Sequence, residues 1–231
     1  MKLSSLHDFI DLFYPQLCFG CGRPLLRNEN IICFHCKFGL PFTDFHKIQE
    51  NKIHQLFTGR IQIEKASAYL HFVKNGMVQS LLHYLKYRNK DQIGIYLGKM
   101  AGKDLAKDNF FEGLNHIIPI PLHPKKLKLR KYNQAEKIAF GLAETSGVQM
   151  ETQLLLRSKF NETQTRKSRF NRWLNVEAIF TIDPEIRGEF KGKHLLLVDD
   201  VVTTGSTLEA AAILLEKELQ CKISIFTIAI A

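Results

Sequence analysis

Two adjacent carboxylates at the end of an apolar run limit the possible folds of this chain more than any other feature does. Residues 195–198 are Leu-Leu-Leu-Val, and Asp199 and Asp200 follow directly. An all-apolar run of this kind is typical of a buried parallel strand. A short polar loop and the start of a predicted helix come next, with the residues Thr203, Thr204, Gly205, Ser206 and Thr207. Strand, loop and helix in this order are the unit of an α/β fold.

This segment offers two kinds of polar group. The helix start supplies unpaired N–H groups and a positive dipole end, which suit a phosphate. Gly205 would let the backbone approach that phosphate closely. Asp199 and Asp200 suit vicinal hydroxyls, a metal ion or a developing positive charge instead. The segment lacks the Gly-Lys-Ser/Thr of a P-loop and the Gly-x-Gly-x-x-Gly of a dinucleotide site. The combination therefore indicates a sugar phosphate.

The hydrophobic pattern predicts further strands and helices along the chain. We expect strands near residues 66–72, 117–120, 195–198 and 223–230, and helices over 78–87, 92–106, 134–145 and 206–219. A short amphipathic helix is also expected over 4–14. This alternation predicts a mostly parallel sheet. No apolar run is long enough to span a membrane, and the N-terminus does not resemble a signal peptide, so we expect a cytoplasmic protein.

Four of the five cysteines lie close together near the N-terminus, as Cys18, Cys21, Cys33 and Cys36. Two Cys-x-x-Cys turns that face each other form a tetrahedral thiolate site, which Zn²⁺ favours. Two disulfides or two redox dithiols are the alternatives, and a chain without an export signal disfavours the disulfides. A closed four-thiolate site is structural. We expect an N-terminal helix and zinc module over 1–45, a linker over 46–62 and the α/β domain over 63–231.

Positive charge is concentrated in the middle of the chain. The formal net charge is +9, and residues 61–160 contain sixteen Lys and Arg against eight Asp and Glu. The excess is greatest in a basic run whose members are Lys125, Lys126, Lys128, Arg130 and Lys131. Such a run attracts phosphate groups of small molecules or of nucleic acid, although a solvated lysine-rich surface is the simpler interpretation.

The segment Val198-Asp199-Asp200-Val201-Val202-Thr203-Thr204-Gly205-Ser206-Thr207 resembles the phosphoribosyl pyrophosphate (PRPP) signature of type I phosphoribosyltransferases. The paired Cys-x-x-Cys module and residues 119–136 (Pro-Ile-Pro-Leu-His-Pro-Lys-Lys-Leu-Lys-Leu-Arg-Lys-Tyr-Asn-Gln-Ala-Glu) are similar to the ComF competence family, which includes GntX-type proteins. The resemblance runs from about residue 15 to the C-terminus. It implies a type I phosphoribosyltransferase-like fold, α/β with a mostly parallel sheet, and a small N-terminal zinc module with four cysteine ligands.

The resemblance also implies a role for each part of the site. The acidic pair would contact the ribose hydroxyls of PRPP or ribose 5-phosphate, and residues 203–207 would contact the 5′-phosphate. Mg²⁺ would accompany the ligand. The basic run would occupy the position of the pyrophosphate loop. A flexible hood would close over the site and would contribute Arg166, Arg169 and Arg172.

The sequence departs from the usual family pattern at one position, and it leaves two functions open. Family members usually have glycine where Lys131 stands, so a positive φ there would strain this chain unless the lysine side chain contacts the anion instead. One function is transfer of phosphoribose to an acceptor that the sequence does not identify. The other is a non-catalytic accessory role in DNA uptake, with single-stranded DNA or a helicase-like protein as the partner. Tyr132, Phe170 and Trp173 could stack on bases or belong to the core. The sequence does not indicate an oligomeric state.

Overall fold

The computed structural model of the chain describes residues 15–157 and 179–231. Five parallel strands form the central sheet, in the spatial order β1 (Ala66–His71), β7 (Lys222–Ile230), β6 (His194–Val202), β2 (His116–Pro119) and β3 (Gln149–Met150). A separate antiparallel pair consists of β4 (Leu155–Arg157) and β5 (Phe180–Ile182). The predicted α/β class with a mostly parallel sheet is confirmed.

The long helices follow the predicted pattern closely. They are α3 (Met77–Tyr87), α4 (Gln92–Lys107), α6 (Gln134–Ser146) and α7 (Ser206–Leu219). Three shorter helices were not predicted, namely α1 (Phe34–Phe38), α2 (Lys52–Phe57) and α5 (Pro124–Arg130), and two 3-10 turns cover Phe45–Lys47 and Arg187–Phe190. In the described ranges, no helix combines the length and the apolar character that a membrane span requires.

Side chains of the central strands alternate between two cores, one on each face of the sheet, because successive residues of a strand point to opposite faces. Leu196 and Val198 of β6 belong to the core that includes α3, α4 and α6. Leu195 and Leu197 belong to the other core, which includes α7 and α2. We call these faces the α3 face and the α7 face. The central strand β6 is therefore buried on both of its sides.

The segment 46–62, predicted to be a linker, contains a helix that is packed into the α7 face. Ile53 and Phe57 of α2 are fully buried. Asn51 begins this helix, since its side-chain oxygen accepts a hydrogen bond from the Ile53 N–H at 2.9 Å. The Asn51 amide also donates to the Ala66 carbonyl of β1 at 2.7 Å. The segment is thus anchored to the sheet, and the boundaries of the domains remain a prediction.

The cysteine module, residues 15–45, packs against α3. Ile31, Ile32 and the buried cysteines share one core with Val78 and Leu81 of that helix. The Ser80 hydroxyl of α3 donates to the Phe19 carbonyl at 2.9 Å. The helix predicted over residues 4–14 lies outside the described residues. The module and the sheet domain therefore share an apolar interior.

Candidate functional site

The two carboxylates lie at the carboxyl end of β6 and point to opposite faces of the sheet. Asp200 follows Leu196 and Val198 in the alternation, so it faces α3, and the Lys86 ammonium of that helix lies 2.9 Å from its Oδ2 atom. Both side chains are largely buried, with 23% and 12% of the Lys86 and Asp200 side chains exposed. Because both side chains are largely buried, water screens the attraction between their charges only weakly. Asp200 thus has a cation of the chain itself beside it.

Asp199 points the other way, toward the α7 face. Burial, followed by the charge of Asp200, raises the pKa of Asp199 to about 7. Its carboxylate accepts a hydrogen bond from the Asp200 N–H at 2.8 Å, and the charges of Lys86 and Arg157 act in the opposite direction to burial. The adjacent acids therefore differ in their surroundings, and the raised pKa favours the protonated form of Asp199 at mildly acidic pH.

The predicted phosphate loop joins β6 to α7 as expected. The helix begins at Ser206, after Gly205 with a φ of +75°. The Thr204 hydroxyl lies 3.2 Å from the Ser206 hydroxyl. A Cβ atom on Gly205 would lie 2.7 Å from two carbons of the Phe57 ring. Glycine is therefore required here by the backbone conformation and by the packing of α2 beneath the loop.

A cavity of about 190 Å³ opens beside the acidic pair. Its wall contains both aspartates, Thr207 from the start of α7, and cations from three other elements. Those cations are Lys86 of α3, Lys126 and Arg130 of α5, and Arg157 of β4. Four positive side chains thus line the same cavity as the two carboxylates. An anion with hydroxyl groups can contact both kinds of charge here.

The basic run lies in the helix α5 and at its end, and only some of its side chains face the cavity. Lys126 and Arg130 are four residues apart, so they share a face, and that face lines the cavity. Lys125, Lys128 and Lys131 are exposed and do not line it. Lys131 ends the helix in the left-handed conformation with a φ of +67°. The position where relatives usually have glycine does adopt a positive φ, so this chain holds a lysine in a backbone conformation that glycine adopts more easily.

The residues after Lys131 fix the wall of the cavity. The Tyr132 hydroxyl donates to the Leu85 carbonyl of α3. Asn133 begins α6, because its side chain accepts from the Ala135 N–H at 3.1 Å and donates to the Ile120 carbonyl at 3.0 Å. Gln134 is buried and accepts from the Arg130 guanidinium at 2.9 Å. Tyr132 packs against the core on the α3 face, so of the two interpretations for this aromatic residue the core one is correct.

Two charged residues of the cavity were missed in the sequence, and each had a weak signal. Lys86 is four residues after Leu82, so it continues the apolar face of α3, and a lysine in such a position is unusual. Arg157 ends the apolar run of residues 154–156, which is too short for a reliable strand prediction. Its guanidinium lies 5.3 Å from the Phe180 ring centroid, and burial lowers its pKa. The hood arginines, Arg166, Arg169 and Arg172, lie outside the described residues, as do Phe170 and Trp173.

The four N-terminal cysteines come together as the spacing predicted. The sulfur atoms of Cys18, Cys21, Cys33 and Cys36 all lie within 4.8 Å of one another. Cys33 begins α1, and its N–H donates to the Cys18 sulfur at 3.2 Å. Three of the four are buried and Cys21 is exposed. All four are free thiols in this arrangement, and four thiol sulfurs at such distances match the donor set of a tetrahedral metal site.

Comparison with known proteins agrees with this geometry. The model of the "Phosphoribosyl transferase domain" family matches residues 143–230, which include β6, the loop and α7. The "DNA utilization protein YhgH" of Escherichia coli is 26% identical over 225 residues, or 88% of this chain and 92% of that protein. The "Competence protein ComFC" of Bacillus subtilis is 28% identical over 218 residues, or 92% of this chain and 77% of that protein.

A third relative is similar over a shorter range. The "Competence protein F" of Haemophilus influenzae is 30% identical over 140 residues, or 59% of this chain and 61% of that protein. The matched domain, these relatives and the gathered cysteines agree with the resemblance found in the sequence. These findings fit a protein similar to the ComF family, in which a phosphoribosyltransferase domain follows a four-cysteine module.

Proposed function

We propose that this protein binds PRPP at the cavity beside Asp199 and Asp200 and acts as a phosphoribosyltransferase. One observation carries the proposal. A single cavity contains the acidic pair and Thr207 of the signature, and it also contains four cations from outside the signature. Sugar hydroxyls fit the carboxylates, a 5′-phosphate fits the start of α7, and pyrophosphate fits the cations. PRPP has all three groups in one molecule.

The chemistry would be the displacement of pyrophosphate at the anomeric carbon of the ribose by an acceptor nucleophile. Positive charge develops on the ribose ring and negative charge on the leaving group. Asp199 and Asp200 would stabilise the first, while Lys126, Arg130 and Arg157 would stabilise the second. Lys86 would hold the Asp200 carboxylate in place through their ion pair. Carboxylate oxygens are ligands that Mg²⁺ prefers, so the acidic pair would help to hold the ion that accompanies PRPP.

We also propose that Cys18, Cys21, Cys33 and Cys36 hold one structural Zn²⁺ ion. The four sulfur atoms fit it in number, chemistry and mutual distance. The ion would stabilise the module and leave no open position for a substrate. The hood arginines Arg166, Arg169 and Arg172 remain proposed contributors to closure of the site. Thiolate ligands persist in a reducing environment, and the cytoplasm is the compartment we propose.

The first experiment is a calorimetric titration with PRPP and MgCl₂, together with thermal unfolding. Ligand at a hundred times its dissociation constant should stabilise the fold by about 2.7 kcal/mol. Asp200→Asn should abolish the heat and the stabilisation, because it replaces a charged acceptor of two oxygens by a neutral amide and leaves Lys86 without its negative partner. Release of pyrophosphate on addition of candidate acceptors tests the transferase activity.

Asp44→Asn is the matched control. Asp44 has a φ of +54°, which asparagine tolerates, and it pairs only with the exposed Lys47 among the described contacts. This variant should bind PRPP like the wild type. Folded wild-type protein that gives no heat and no thermal shift with PRPP would contradict the proposed site.

A second candidate function is an accessory role in DNA uptake or use, and the names of the relatives favour it. The exposed side of α5 supports it, because Lys125 and Lys128 face solvent beside the half-exposed Leu127. We propose that this surface binds single-stranded DNA weakly and with strong salt dependence. A helicase-like protein remains the alternative partner.

Because some lysines of α5 line the cavity and others face away from it, substitutions can test the two proposed functions separately. Lys128→Gln should weaken binding of a fluorescent oligothymidine and leave PRPP affinity unchanged, whereas Lys126→Gln should weaken PRPP binding. Fluorescence anisotropy between 25 and 200 mM salt, on the order of the range over which phosphate contacts are lost, measures the first effect. If Lys128→Gln binds the oligonucleotide as tightly as the wild type does at every salt concentration, α5 is not the DNA-binding surface.

A further inference from the structure

An arginine from the segment between the cysteine module and β1 contacts the phosphate loop and the helix after it. The Arg60 guanidinium donates from Nη1 to the Thr204 carbonyl at 3.2 Å. The same nitrogen lies 3.1 Å from Oε2 of Glu209, whose side chain is 20% exposed. Arg60 thus joins two points that lie on either side of Gly205. Neither contact is predicted by the sequence, because the partners are more than 140 positions away.

Glu209 is an unexpected residue at a phosphate site. It lies in the first turn of α7, where a negative side chain stabilises the empty helix through the helix dipole. A phosphate dianion bound at the same helix start would be repelled by that carboxylate. Arg60 neutralises Glu209 and so offsets the repulsion.

The contact with Thr204 fixes the direction of a peptide group. In a trans peptide the carbonyl and the following N–H point in opposite directions. Since the Thr204 carbonyl points toward Arg60, the Gly205 N–H points away from it. The Phe57 ring lies against Gly205, at the position a Cβ would occupy, and holds the loop from below. The residues of α2 and the turn after it therefore set the shape of the loop.

We infer that Arg60 is a positioning residue for the phosphate half of the site. It acts through Glu209, whose charge it neutralises, and through Thr204, whose carbonyl it orients. The inference rests on the proposed function, because it requires that the loop binds the phosphate of a ribose 5-phosphate or of PRPP. Arg60 itself contacts the loop on the side away from the Gly205 N–H.

A double-mutant cycle tests this role with ribose 5-phosphate as the probe in the presence of Mg²⁺. Arg60→Gln should weaken binding about fivefold at pH 7.5, the size of an unscreened charge at a helix terminus. Glu209→Gln should bind at least as tightly as the wild type. The double variant, Arg60→Gln with Glu209→Gln, should recover most of the lost affinity, because the repelling carboxylate is gone. Arg60→Lys keeps the charge and should lose less than Arg60→Gln.

The pH dependence supplies a readout that a purely structural role would not change. A phosphate monoester gains its second charge near pH 6. The loss in Arg60→Gln should therefore grow from about twofold at pH 5.5 to about fivefold at pH 7.5. Unfolding of each variant without ligand confirms that it is folded at both pH values. A loss that is the same at both would indicate a defect of loop shape alone and would overturn the electrostatic role.

The outcomes separate the inference from the proposed function. If the wild type binds neither ribose 5-phosphate nor PRPP, the proposed function fails before the cycle begins. If the wild type binds and Arg60→Gln binds equally well, the proposed function stands and the role of Arg60 is wrong. If the double variant is as weak as Arg60→Gln, Arg60 does not act through Glu209 and the electrostatic part of the inference is wrong.

Discussion

The cysteine module and the sheet domain hold themselves together by different means, although they share one core. The central strands of the sheet domain are buried on both faces of the sheet. The helix α7 contributes six buried residues to the core on one of these faces. The α-helical part of the module, residues 15–45, is the short helix α1. Within this helix, only Cys36 is buried. The interior of the module consists largely of its own cysteines and of residues that contact α3. Apolar burial stabilises the sheet, whereas the module depends on its thiols and on α3.

The helix α3 is where the two regions meet. The first residue of α3, Met77, packs closely against Gly20 of the module. A Cβ atom placed on Gly20 would lie 2.9 Å from the Met77 side chain. The other end of α3 holds Lys86 against Asp200 in the site. A helix is stiff over its eleven residues, so a displacement at one end shifts the other. We therefore expect the module to support the site from a distance.

The largest effect should come from removing one metal ligand. Cys36→Ser should lower the zinc content from about one ion to almost none, because serine is a poor ligand for this ion. Metal binding contributes on the order of 10 kcal/mol to the folding of such a module. Sequence alone suggests that the sheet domain would be unaffected. Because the core is shared, we expect the whole chain to melt several degrees lower.

Cys221→Ser is the control for that change. Cys221 is also buried, but its thiol donates to the Phe190 carbonyl at 3.1 Å, far from the cluster, and serine can keep this hydrogen bond. It should retain zinc. Metal analysis and thermal unfolding measure both variants. A sheet domain that melts at an unchanged temperature in Cys36→Ser would show that the two regions are independent and would remove the supporting role of α3.

A smaller effect is expected at the far end of α3. Lys86→Met should reduce the free energy of unfolding by about 2 kcal/mol, because it leaves Asp200 largely buried without its partner. Lys86→Met combined with Asp200→Asn should recover part of that loss. Lys99→Met, which breaks the half-exposed pair with Glu144, should cost about 1 kcal/mol or less. Urea denaturation compares the variants, and equal losses for the two lysines would contradict the importance of burial at the site.

Sequence patterns predicted the parts of the fold that have a buried face. The four long helices show a period because one face of each is apolar, and the predicted strands stand out as short alternating or continuous apolar runs. The strands β3, β4 and β5 span only two or three residues each and were not predicted. The helix α5 has no buried residue, so it has no such period. Its signals are local, with His123 capping its first turn, Pro124 as its first residue and Lys131 in the left-handed conformation at its end. The helix α2 spans six residues, too few for a period to be recognised.

In the candidate site too, some residues could be predicted from the sequence and others could not. The acidic pair, the loop and the start of α7 are contiguous in sequence, so their pattern was readable. Lys86, Arg157 and Arg60 come from three other elements, and only the folded sheet brings them to the loop. Contacts between distant positions leave no periodic signal in a single sequence. A motif of this kind therefore reveals the ligand class before it reveals the residues that balance the charge of the site.

The smallest effect concerns the pKa of Asp199. Its pKa of about 7 in the folded protein lies above the ordinary value for aspartate, so the folded state keeps a proton that the unfolded chain loses near pH 4. The stability of the wild type should consequently fall as the pH rises from 5 to about 7 and then level off. Asp199→Asn cannot ionise, and its amide oxygen can still accept the Asp200 N–H. Its melting temperature relative to the wild type should rise over this range, because the wild type loses stability there and the variant does not. A difference that does not change between pH 5 and pH 8 would mean that Asp199 is ionised throughout and that Lys86 and Arg157 outweigh its burial.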